Sequence, residues 1–130
     1  MTPSWQTPWW RQAGDGYRVR VVAHALDGRR APLGEHRVRT PRLALRWLRG
    51  RAGDVADQLD PPYARVVAAW LGDTREHERA LDLMTAGRPY LFLAQDEDGI
   101  RYAFTVEPLP LARPVSSPGT VRRVASCLAA

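Results

Sequence analysis

Arg39, Arg42, Arg46 and Arg49 recur at intervals of three, four and three residues, the spacing that gathers side chains along one flank of a helix. A row of guanidinium groups suits one chemistry above others: planar N–H forks that grip phosphate oxygens in pairs. Arg18, Arg20 and Arg37 stand in segments that alternate like strands and can add to the same cationic surface. Together the seven are the candidate nucleic-acid-binding residues, expected to hold a phosphate backbone in a salt-dependent, sequence-tolerant way.

Composition offers a plainer explanation. The chain has nineteen basic residues, all arginine, with no Asn and with Ile100 as its only isoleucine. Lys, Asn and Ile have the codons richest in A and T, so a GC-rich genome accounts for the use of Arg. Coding bias does not account for where the charge lies. Residues 1–51 carry eleven arginines against Asp15, Asp27 and Glu35, and residues 52–107 carry five against eleven carboxylates. The two halves can neutralise each other within one chain or pair between copies, which makes a homo-oligomer or an adaptor the alternative reading. Trp5, Trp9 and Trp10 are the candidate partner-binding residues for it, because Trp is enriched where interfaces concentrate their energy. A lead segment laid over the core is the simpler role for the same three side chains.

Catalytic chemistry finds little here. His24, His36 and His77 are far apart and lack partners at metal-ligand spacing. Glu76-His77-Glu78 lacks the second His four residues on that a zinc helix needs. Gly14-x-Gly16 is too short to cradle a phosphate, and Ser116 and Ser117 sit outside any nucleophile elbow. The expectation is a non-catalytic protein with no cofactor and no metal. Cys127 is the lone cysteine and no apolar run reaches membrane-spanning length, so the expected location is the cytoplasm, with no membrane partner.

The elements that must position these residues follow from periodicity. Residues 17–26 alternate as a strand, with Tyr17, Val19 and Val21 on one face and Arg18 and Arg20 on the other; Asp27-Gly28 supplies a turn. A second, weaker strand is expected at 35–39, with Arg37 and Arg39 on a common face. Like charges across a strand pair destabilise it, so that face calls for an anionic partner from this chain or from outside.

Thr40-Pro41 opens a helix in which Leu43, Ala44, Trp47, Leu48, Val55 and Leu59 form the apolar arc opposite the arginines. A break or bend is expected at Gly50 and Gly53. Asp60-Pro61 opens a second helix, apolar on nearly every side from 63 to 71 and so expected at the buried centre. Gly72 ends it. A third, capped at Asp73 or Thr74, runs to about Ala86, with His77, Leu81 and Met84 facing inward and Gly87 as its stop.

Residues 61–86 mimic helix-turn-helix spacing, but the would-be recognition helix carries Glu76, Glu78 and Asp82, which repel DNA. Residues 89–95 and 100–107 form a hairpin around Asp98-Gly99. The expected fold class is therefore α+β: an antiparallel sheet built from two hairpins, in ββ-ααα-ββ order, with helices packed on one face. Residues 1–16 read as an irregular Trp/Pro-rich lead, 17–111 as the single domain, and 112–130 as a Pro/Ser-rich tail.

Overall fold

The computed structural model describes residues 16–110. Two strands open this region, β1 (Tyr17–His24) and β2 (Arg30–Val38). Three helices follow, α1 (Pro41–Ala56), α2 (Pro61–Leu71) and α3 (Thr74–Thr85). A second strand pair closes it, β3 (Tyr90–Gln95) and β4 (Arg101–Pro108). The strands form one antiparallel sheet in the order β2-β1-β4-β3, so the two hairpins join through their inner strands, with Tyr17 opposite Pro108 and His24 opposite Arg101. The expected α+β architecture, with helices on one face of the sheet, is what the chain adopts.

Alternation divides each strand between the two faces. On the helix side Tyr17, Val19, Val21, Phe104 and Val106 are buried against Ala44, Leu45, Leu48 and Ala52 of α1, Val67 and Trp70 of α2, and Ala80 and Met84 of α3. Full burial of a side chain such as Leu48 or Phe104 contributes about 1.5–3 kcal/mol, so this one layer holds the fold.

The Thr40 hydroxyl accepts the Leu43 N–H at 3.1 Å and Pro41 takes the first helical position, as the sequence predicts. Of the break or bend expected at the two glycines, a break does not occur: α1 runs through Gly50 and Gly53 to Ala56. Two glycines cost roughly 2 kcal/mol in a helix interior, which the buried stripe Ala44, Leu45, Leu48, Ala52 outweighs. The stripe is also displaced from the predicted arc. Leu45 is buried and Leu43 points outward, 45% exposed.

The predicted strand at 35–39 begins earlier and ends one residue sooner. β2 starts at Arg30, and Arg39 lies past its end, so Arg37 and Arg39 do not share a sheet face. Pro32 and Gly34 disguise it. An edge strand tolerates a proline, and the register shifts where Gly34 faces Val21 and Pro32 faces Val22, leaving Leu33 as the extra residue of a bulge. The Arg51 guanidinium reaches from α1 to donate to the Leu33 carbonyl, in the space that a Cβ on Gly34 would invade.

The helix expected at the buried centre lies at the side of the layer instead. Only Val67 and Trp70 of α2 are buried, and Val66 is 55% exposed. Pro61, Pro62, Ala68 and Ala69 are exposed as well, small side chains that face solvent at little cost.

Candidate interaction surfaces

The sheet has one face covered by helices and one face that no described residue covers. On the open face residues align in cross-strand rows, because directly paired positions point the same way. Leu91, Thr105, Arg20 and Glu35 make one row from β3 to β2. Leu93, Ala103, Val22 and Pro32 make the next, and Glu107, Arg18 and Arg37 lie on the other side of the first.

Arg18 stands directly opposite Arg37, the like-charge pairing expected from the sequence. The chain supplies part of the neutralising charge itself. Arg20 meets Glu107 at 2.5 Å, and Arg18 approaches Glu35 at 3.8 Å. Arg37 is exposed, with no carboxylate within 4.0 Å among the described residues.

Arg42, Arg46 and Arg49 are exposed along α1, and Arg39 is exposed just before it. None of the four has a carboxylate within 4.0 Å among the described residues. Arg42 borders a groove that α3 lines with Glu78 and Asp82. Because α1 packs on the helix side, this group and the Arg18, Arg20, Arg37 group occupy opposite sides of the sheet. The expectation that all seven converge on one surface is corrected by the layer geometry. Trp5, Trp9 and Trp10 lie outside the described residues.

The open face carries an apolar patch on its β3 side, bounded beyond Leu93 by the polar row Gln95, Arg101, His24 and Arg30. Leu91 and Leu93 are 52% and 50% exposed, with Val22 and Ala103 beside Leu93 in its row. Both leucines lie on β3, an edge strand whose outer row of backbone N–H and C=O groups no described strand pairs. The two edges differ sharply. β2 carries Arg30, Pro32, Glu35, Arg37 and a bulge, the features that discourage pairing with another chain. β3 reads YLFLAQ, with no charge, proline or glycine. Beside it Pro62, Tyr63 and Val66 of α2, with Leu93 and Ala94, line a shallow groove of about 510 Å³. The hairpin itself was legible in the sequence, but the exposure of its leucines depends on strand order, and no local pattern carries that information.

A polar network, buried at Trp70 and Tyr90 and open to solvent at Arg79, joins α2, α3 and β3. The Trp70 indole N–H donates to the Tyr90 hydroxyl at 2.8 Å, and that hydroxyl donates to Glu76 Oε2 at 2.7 Å. Arg79 closes on both Glu76 oxygens at 2.8 Å, its guanidinium 5.7 Å from the Tyr90 ring centre. These hydrogen bonds, Arg79's first and Tyr90's second, lower the Glu76 carboxyl from 4.5 to about 2. Burial pushes the Tyr90 hydroxyl up to about 12. Each group therefore keeps one protonation state across neutral pH, which suits a structural clasp better than proton transfer. The His77 ring packs edge-on to Trp70 at 4.9 Å, 8% exposed.

Asp73 and Glu76 stand three residues apart, at capping-box spacing. Asp73 does cap α3, accepting the Glu76 N–H at 3.0 Å, but the Glu76 carboxylate turns to Arg79 and Tyr90. Among the described residues no three His, Cys, Asp or Glu side chains cluster as a metal site, and no helix is long and apolar enough to cross a membrane. No family model, curated protein or solved structure matches the chain.

Proposed function

We propose that the protein is a binding module whose open sheet face, along edge β3, takes a protein partner. The observation that carries this reading is the pair Leu91 and Leu93, each half exposed on a strand edge without a single charged residue. Solvent-exposed leucines at an unpaired edge favour addition of a strand: the ladder supplies hydrogen bonds, and alternate side chains supply fit. The arginine–glutamate half of the same face gives a polar border to that apolar patch, the usual arrangement of an interface core and rim.

Replacing Leu91 and Leu93 with Ser tests the reading. Both side chains are half in solvent, so the monomer fold survives, and the variant is expected to lose polypeptide capture by the full chain. Equal capture by variant and wild type overturns the proposal.

A second reading is favoured by the four exposed arginines at and before α1 that no described carboxylate approaches within 4.0 Å. Such a row supports contact with a nucleic-acid backbone, with Arg39, Arg42, Arg46 and Arg49 as the contacting groups and Arg18, Arg20 and Arg37 on a separate face. Arg42→Glu with Arg46→Glu is expected to abolish retention on heparin and on generic DNA. Unchanged retention removes this reading.

A further inference from the structure

We propose that the partner of β3 is β3 of a second copy of this chain, paired antiparallel about a two-fold axis so that two four-stranded sheets become one of eight strands. The proposal rests on the protein-binding reading of this edge and commits it to a single occupant.

Three features of the edge point to a copy of itself. The first is register. In an antiparallel pair, directly opposite residues lie on the same face. Leu91 and Leu93 share the open face with Gln95, whereas Tyr90, Phe92 and Ala94 face the helices. A two-fold axis must therefore pass at a residue, not between residues. Centred on Phe92, the pairing sets Leu91 of each copy against Leu93 of the other, and all four half-exposed leucines become one contiguous cluster. Centred on Leu93, it would set Leu91 against Gln95 and leave that cluster incomplete.

The second feature is charge. In the Phe92 register Arg88, just before β3, comes opposite Asp96, at the start of the Asp96-Glu97-Asp98 turn. The two-fold repeats this pairing at both ends of the joint, so a basic flank meets an acidic turn twice. A parallel arrangement would bring Arg88 to Arg88 and acid to acid. The third feature is the contrast between edges. Charges, a proline and a bulge blunt β2, so among the described residues one edge is open to pairing and the sheet closes as a dimer without growing into a filament.

The test uses the full chain. Sedimentation is expected to show a dimer at about 100 µM, and Leu91→Lys with Leu93→Lys to weaken it at least about tenfold while the far-UV circular dichroism stays unchanged. The register has its own readout. In a Cys127→Ser background, mixed Leu91→Cys and Leu93→Cys chains are expected on mild oxidation to form the heterologous disulfide well beyond the roughly one-half share that random pairing of the two chains gives. If a lysine variant fails to fold, the cysteine mixture still decides, because it leaves the leucine patch half intact.

A wild-type monomer at that concentration overturns the proposal, as does a dimer indifferent to the lysines. A statistical mixture of disulfides overturns the Phe92 register. A monomer that still captures another polypeptide through Leu91 and Leu93 overturns the second copy as occupant and leaves the protein-binding reading standing. A monomer in which the β3 amides that point away from β4 also resist hydrogen exchange identifies a segment of the same chain as the occupant, and overturns both.

Discussion

Tyr90 is the residue on which the helix–sheet contact turns. Its hydroxyl accepts from Trp70 and donates to Glu76, so a phenylalanine at this position leaves an indole N–H without an acceptor and removes one donor to a carboxylate. Tyr90→Phe is expected to destabilise by about 1–3 kcal/mol, measured by urea unfolding.

The same network gives stability a pH dependence of definite sign. Glu76 is held below its ordinary value, so its contribution is complete above pH 4.5 and is lost as pH falls from 4.5 towards 2. Tyr90 is held above its ordinary value, so its contribution is complete below pH 10 and is lost as pH rises from 10 towards 12. Thermal melting is expected to decline at both limits. Glu76→Gln should flatten the acid side alone, and an unchanged acid side in that variant would refute the role given to this carboxylate.

At the level of elements, the sequence was clearest where local chemistry decides. Thr40-Pro41, Asp73 and the Asp98-Gly99 turn sit where capping and turn rules put them, and Gly99 has the positive φ of +82° that its turn needs. It was misleading where tertiary packing decides. Gly50 and Gly53 read as a break or bend, yet the helix continues through them and a Cβ at either position meets nothing within 4 Å. Gly50→Ala and Gly53→Ala are therefore each expected to stabilise α1 by roughly 0.5–1 kcal/mol, seen as a higher melting temperature. β2 was half hidden because Pro32 and a bulge break its alternation, and α2 was misplaced because Val66, Ala68 and Ala69 look apolar yet lie on its exposed side.

Across the whole molecule, the segregation of basic and acidic residues along the chain does not become two opposed surfaces. The sheet divides the basic half, with Arg18, Arg20 and Arg37 on one side and Arg42, Arg46 and Arg49 on the other. Glu35 and Glu107 then engage part of the first group, one from the same hairpin and one from the last strand. The seven candidate arginines were legible as residues. Their separation follows from which face of the sheet the helices cover, a property of the assembled layers.

The strand order also fixes how the domain responds to load. Gly16 and Leu109 are neighbours, joined by a 2.8 Å hydrogen bond from the Leu109 N–H to the Gly16 carbonyl, at one end of the paired strands β1 and β4. Tension applied through these two points would act on the ladder one rung at a time, as a zip is opened, and would not shear all its rungs together. A domain tethered this way yields to small forces, however stable it is to heat.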